Sequence, residues 1–167
     1  WLANPLDFAG LSENLKIVGK LTGRTAEADQ VSQSIEARYQ AVIEKVATSS
    51  KKPPVFYEID ATDPTKPYTT GPGTFIDKLI DLAGGYNIGQ ALKDQFAQIS
   101  SEELVKADPD MIVLGDALYG VTAESIAQRA GWDKLSAVKS GAVFTFDDNL
   151  ATRPGPRLID GLEAFAK

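Results

Sequence analysis

The sequence predicts an α/β fold with a parallel sheet flanked by helices. Three observations carry that expectation. Strand-type and helix-type stretches alternate through most of the chain, the arrangement that builds parallel sheets. Met111-Ile112-Val113-Leu114 is a continuous apolar run of strand length, the pattern of a strand covered on both faces. Thr25 to Ala47 runs without a glycine or proline, with Ala28, Val31, Ile35, Tyr39, Val42 and Val46 on one helical face.

Taken in order, Phe8 to Leu21 reads as a helix with Leu11, Leu15, Val18 and Leu21 in step, ended by Gly23 in a left-handed conformation. The long helix follows, with Thr25 as its N-cap, Glu27 and Asp29 in the first turns and Lys45 near the end, each on the side the helix dipole favours. At 1.5 Å per residue it is roughly 35 Å long, enough either to join two bodies or to cover one sheet. Both readings fit this stretch. It stops at Thr48-Ser49-Ser50, ahead of Pro53-Pro54.

Val55 to Ile59 is a strand, and Asp60 to Gly73, rich in proline and glycine, reads as a long loop of the functional kind. Thr74 caps a helix that carries Phe75, Ile76, Leu79, Ile80 and Leu82 and stops at Gly84-Gly85. Ser100 to Glu103 is a capping box opening a short helix, and Met111 to Leu114 is the second strand. Thr122 to Ala130 is a helix halted by Gly131. Ala142 to Phe146 is the third strand, Asp147 to Gly155 its exit loop, and Pro156 the first residue of a last helix with Leu158, Ile159, Leu162 and Phe165.

The 167 residues, 43% hydrophobic, suffice for one domain with a proper core plus an appendage. A net charge of -6 without a basic stripe argues against nucleic acid as a partner. The chain has no cysteine and no histidine, which removes disulfides, thiolate nucleophiles, His-dependent triads and the usual zinc sites. No apolar run is long enough to cross a membrane, the N-terminus has no signal-peptide pattern, and Trp1-Leu2 reads as a boundary or a fragment start, ahead of which a targeting sequence could have stood.

In open α/β sheets ligands sit outside the carboxyl ends of the strands, here the loops after Ile59, Leu114 and Phe146. Arg153-Pro154-Gly155-Pro156-Arg157 is the sharpest feature there. Two arginines flank a rigid turn, and with Pro156 as the first helical residue Arg157 stands where the dipole disfavours a cation. A carboxylate, catecholate or phosphate on a ligand would offset that through charge-assisted hydrogen bonds; the alternative is neutralisation by Asp147, Asp148 or Asp160 in a structural turn. Tyr57, Tyr68 and Phe146 are placed to stack on a large planar ligand, although Tyr57 and Phe146 are also natural core positions. Trp132 is expected to be a packing residue. Asp60, Asp63, Asp116, Asp147 and Asp148 follow strands as magnesium-holding carboxylates do, so a magnesium-dependent phosphoryl-transfer domain is the enzymatic alternative; neither a Walker A loop nor Gly-x-Gly-x-x-Gly is present.

Asn14 to Gly23, Gly84-Gly85-Tyr86-Asn87-Ile88, Ser100 to Leu104, Ala107 to Val113, Ala137 to Val143 and Arg153 to Leu158 resemble, in this order, segments of the substrate-binding proteins of ABC importers for metal chelates, the class that takes up ferric siderophores, haem and cobalamin. The resemblance covers nearly the whole chain but only the second half of such a protein. It implies a two-lobed, periplasmic-binding-protein-like fold of the chelatase-like class III, of which residues 51–167 are the C-terminal lobe, 24–50 the interlobe helix and 1–23 a remnant of the N-terminal lobe. It further implies a non-enzymatic, extracytoplasmic, membrane-associated role in which the turn of Arg153 and Arg157 and the Tyr68 loop face the chelate, with no covalent cofactor, and Glu102 docks on an ABC permease; Tyr57 joins the candidate chelate contacts from its place on the first strand. A small-molecule sensor lobe without a transporter is the further alternative. With its other lobe missing, this chain is expected to self-associate through the uncovered face of its first helix.

Overall fold

The computed structural model describes residues 5–167; Trp1 and Leu2, read above as a fragment start, lie outside the described residues. Helix α1, Phe8–Thr22, ends at Gly23, whose φ of 70° is the left-handed conformation that a side chain would strain. Helix α2, Thr25–Ala47, has the expected extent, but Arg24 holds the N-cap position without a side-chain bond, and Thr25 is the first helical residue. The two helices cross closely where Gly19 meets Ala28: a Cβ on Gly19 would fall 2.6 Å from that of Ala28. Phe8 and Leu11 of α1 are buried in the core, Phe8 against Tyr39 of α2 at 5.4 Å. The face of α1 expected to lie open is therefore split: Leu11 is covered by this lobe itself, while Ile17, Val18 and Leu21 remain exposed.

Strand β1, Pro54–Asp60, is central. Strand β2, Tyr68–Thr70, lies within the stretch expected to be loop and pairs antiparallel with the end of β1, Asp60 opposite Tyr68. Helix α3, Phe75–Leu82, capped by Thr74, returns the chain to β3, Tyr86–Asn87, which runs parallel to the start of β1. Strand β4, Phe96–Gln98, borders β2, and α4, Ser101–Ala107, opens with the expected capping box of Ser100 and Glu103. Strand β5, Met111–Leu114, lies parallel to β1, with its last three residues buried. Helix α5, Ala123–Ala127, is shorter than expected, because a 3-10 turn, Trp132–Lys134, follows Gly131. Then come α6, Ser136–Ser140, and β6, Val143–Thr145, parallel to β5. The exit loop of β6 contains a one-turn helix, α7, Asn149–Thr152. The last helix, α8, Leu158–Phe165, starts two residues after Pro156, so Arg157 caps it and does not lie within its first turn.

The sheet order is β4-β2-β1-β5-β6, with β3 beside the start of β1. It is mixed where an all-parallel sheet was expected: β2 is the antiparallel member, its Tyr-Thr-Thr stretch turned back along β1 from the long loop. Side chains alternate between two apolar layers. Val55, Tyr57 and Val113 face α2, α3 and α8; Phe56, Ile112 and Leu114 face Trp132 and Leu135. The long helix is clamped to the first layer, since Arg38 donates to Glu163 through Nε and Nη2 and to Asp160 at 2.6 Å, and Lys45 donates to the Ala166 carbonyl.

Candidate functional site

The carboxyl ends of β1, β5 and β6 share one edge of the molecule, and four loops rise from it. At one side, Tyr68 stands half-exposed beside Asp60, and α4 is tied to the same loop by Ser101, whose N–H donates to the Thr65 carbonyl at 3.0 Å. Glu102 is exposed in the first turn of α4; its neighbour Glu103 closes the capping box by accepting from Ser100, which leaves Glu102 with no partner among the described residues. In the middle, the exit of β5 presents Leu118 and Tyr119, 62% and 89% exposed. At the other side, Arg153 and Arg157 are both exposed on the exit loop of β6.

Neither arginine forms an ion pair among the described residues. The carboxylates that were candidates to neutralise them are occupied: Asp160 accepts from Arg38, Asp147 from the N–H and side-chain amide of Asn149, and Asp148 from the Tyr57 hydroxyl at 2.7 Å and the Thr152 hydroxyl at 2.9 Å. Arg153 makes one neutral bond, from Nε to the Asn149 side-chain oxygen at 3.2 Å. Two guanidiniums on one rigid turn can grip an anionic group, and exposed Leu118, Tyr119 and Tyr68 offer apolar faces along the same edge. The β1 and β5 strands lie between the Tyr68 strand and the arginine loop, so a ligand touching both spans roughly 14 Å at the usual strand spacing.

Tyr57 requires a correction. Its side chain is fully buried, packed edge-on to Phe146 at 6.0 Å and beside Phe165 at 6.0 Å, with its hydroxyl given to Asp148. It lies on a strand covered on both faces, so it cannot stack on a ligand. Phe146 is likewise core, and Trp132 is buried edge-on to Phe56 as expected. Tyr119 and Leu118 escaped the sequence reading; the signal for them was two large apolar residues between Gly115-Asp116 and Gly120 at a strand exit. The magnesium reading finds no geometry: among the described residues no three metal-capable side chains converge, and Asp60 and Asp63 close local turns with Thr62 and Thr65.

Beneath this edge lies a buried charged cluster with no sequence signal. Glu58 of β1, fully buried, accepts from both terminal nitrogens of Arg129, whose guanidinium also lies 4.6 Å from the Trp132 ring centre. Asp116 completes the cluster; burial first, then the charge of Glu58 and the hydrogen bond between the two carboxyl groups, push its carboxyl up to about 7. Its Oδ1 has no hydrogen-bond partner among the described residues. A depression of about 500 Å³ lies elsewhere, between Asp7, Tyr39, Lys78 and Asp81, whereas a cavity of about 270 Å³ opens beside Gly73, Phe96 and Thr152 near the arginine turn.

The family described as periplasmic binding protein matches residues 2–150. An uncharacterized ABC transporter substrate-binding lipoprotein of Bacillus subtilis (strain 168) is 35% identical over 164 residues, covering 96% of this chain and 50% of the relative. A cobalamin-binding protein of Halobacterium salinarum is 30% identical over 163 residues, covering 94% of this chain and 43% of the relative. The crystal structure of a possible iron-binding (periplasmic solute-binding) protein from Staphylococcus epidermidis superposes with a TM-score of 0.83 at 26% identity, over 98% of this chain and 62% of that one. The chain thus spans about half the length of the curated relatives it matches. It belongs to the periplasmic binding protein family.

Proposed function

We propose that this chain is half of a substrate-binding protein that captures a metal chelate, a ferric siderophore, haem or cobalamin, outside the cytoplasm and delivers it to an ABC permease. The observation that carries the reading is that Arg153 and Arg157, without an ion pair among the described residues, share the carboxyl edge of the strands with exposed Tyr119 and Leu118. A chelate with an apolar body and carboxylate or catecholate groups at its edge matches both features. Tyr68, on the same edge, supplies a second aromatic contact. The work is binding and release, without catalysis.

The second lobe of the full-length protein would close over this edge, with α2 between the two. Glu102, exposed and free of partners, is the contact for a basic residue of the permease. The test is direct. In the full-length protein, Arg153→Ala or Arg157→Ala should weaken a chelate bearing carboxylates or catecholates by about 1.5–3 kcal/mol, the range for a hydrogen bond to a charged group, while the melting temperature stays nearly constant. Unchanged affinity with a lowered melting temperature would make the turn structural and reject the reading.

A further inference from the structure

We infer that Tyr57, although sealed in the core, is a positioning residue that keeps the Arg153 guanidinium free by occupying the carboxylate best placed to capture it. The inference rests on the reading of Arg153 as a ligand contact.

Three observations support it. The Tyr57 hydroxyl donates to Asp148 Oδ1 at 2.7 Å, and Asp148 Oδ2 accepts from the Thr152 hydroxyl at 2.9 Å, so both oxygens of the carboxylate are held. The phenol reaches Asp148 only because residue 115 is glycine: a Cβ there would fall 2.5 Å from the Tyr57 oxygen. The Arg153 side chain already folds back along α7 to Asn149, the residue next to Asp148. A free Asp148 carboxylate would therefore meet a guanidinium one residue away, and a charge-assisted bond would replace the neutral one. Burial and the Asp148 charge both raise the phenol's pKa, so it remains a donor throughout the physiological range.

Other acidic groups do not serve as competitors. Asp147 is engaged by Asn149, and Asp116 belongs to the cluster with Glu58 and Arg129 on the opposite face of the sheet. Asp148 is thus the carboxylate whose engagement decides the charge that Arg153 presents.

The experiment reads the guanidinium itself. Phenylglyoxal modifies accessible, unpaired arginines, and peptide mass spectrometry gives the rate at each site. Tyr57→Phe should slow modification of Arg153 by about two- to five-fold, the range a partly exposed ion pair supplies, and leave Arg157 unchanged. Tyr57→Phe combined with Asp148→Asn should restore the wild-type rate, a rescue that loss of packing would not produce. Thr152→Val, on the exposed side, frees the other oxygen of Asp148 and should slow Arg153 in the same sense, which keeps the test decisive even if Tyr57→Phe does not fold. An Arg153 rate unchanged in Thr152→Val and in folded Tyr57→Phe, or slowed without rescue by Asp148→Asn, overturns the inference. Haemin titration of the same variants separates the two claims: slowed labelling with rescue, but haemin binding indifferent to Arg153→Ala, would reject the ligand reading and leave the role of Tyr57 intact.

Discussion

Replacing Asp116 by asparagine should abolish a pH dependence that runs opposite to ordinary acid denaturation. Asp116 is buried among Glu58, Arg129 and the 115–120 backbone, and its carboxyl is raised from an ordinary value of 3.8 to about 7. A carboxyl with a raised folded value keeps its proton where the unfolded chain has lost it. The stability it contributes is complete below the unfolded value and is lost as pH rises from about 4 to about 7, at a slope of at most about 1.4 kcal/mol per pH unit. About three units set a ceiling near 4 kcal/mol, and because the charge of Arg129 opposes the shift, a loss of about 2 kcal/mol is expected. The carboxylates held low, Asp63, Glu103, Asp108 and Glu163, act in the opposite sense, and their contribution is lost as pH falls through the acid range. Urea unfolding followed by the fluorescence of buried Trp132, from about pH 4 to about pH 8, spans the Asp116 window. Asp116→Asn should match the wild type at the acid end and exceed it by about 2 kcal/mol at the alkaline end. Parallel curves for the two proteins would show that Asp116 does not hold a proton in the folded state and would refute the reasoning.

Arg129→Leu should cost about 3–5 kcal/mol by leaving the buried Glu58 carboxylate unpaired, and Glu58→Gln in the same chain should recover part of it; urea midpoints decide this. Glu102→Arg in the full-length protein should weaken co-purification with the permease and spare chelate affinity, because reversing a rim charge acts on the partner; the converse pattern would reject the docking assignment. This chain on its own should self-associate through Val18 and Leu21, 43% and 74% exposed, and Leu21→Glu should shift sedimentation toward the monomer.

What the sequence disclosed depended on how local the cause was. The ends of α1 and α4 were readable because Gly23 and the Ser100/Glu103 box act within a few residues, and β5 because a run of four apolar residues admits few settings. Strand β2 was hidden since Tyr68–Thr70 becomes a strand only when β1 and β4 pair with it. The start of α8 was misplaced because Pro156 fixes its own φ but not the onset of i to i+4 bonding. At the site, the exposed arginines were legible from their turn, but whether they were neutralised depended on Arg38 and Tyr57, more than ninety residues away in sequence. Tyr57 itself reads as a strand-end aromatic; only the third dimension shows that Phe146, Phe165 and Asp148 enclose it. The bond between Glu58 and Arg129 has no local signal at all.

The clamp of Arg38 on Asp160 and Glu163 makes the long helix behave as a beam fixed along its side. Gly161 of α8 touches the Leu150 carbonyl of α7 so closely that a Cβ there would fall 2.4 Å away, and α7 leads directly to Arg153. The turn that bears the arginines, α8 and α2 are therefore stacked without slack. A push on that turn loads the beam at the Arg38 clamp, and an arm of roughly 20 Å from there to Thr25 turns a few degrees of tilt into a displacement of about an ångström or two at its far tip, beside Gly23.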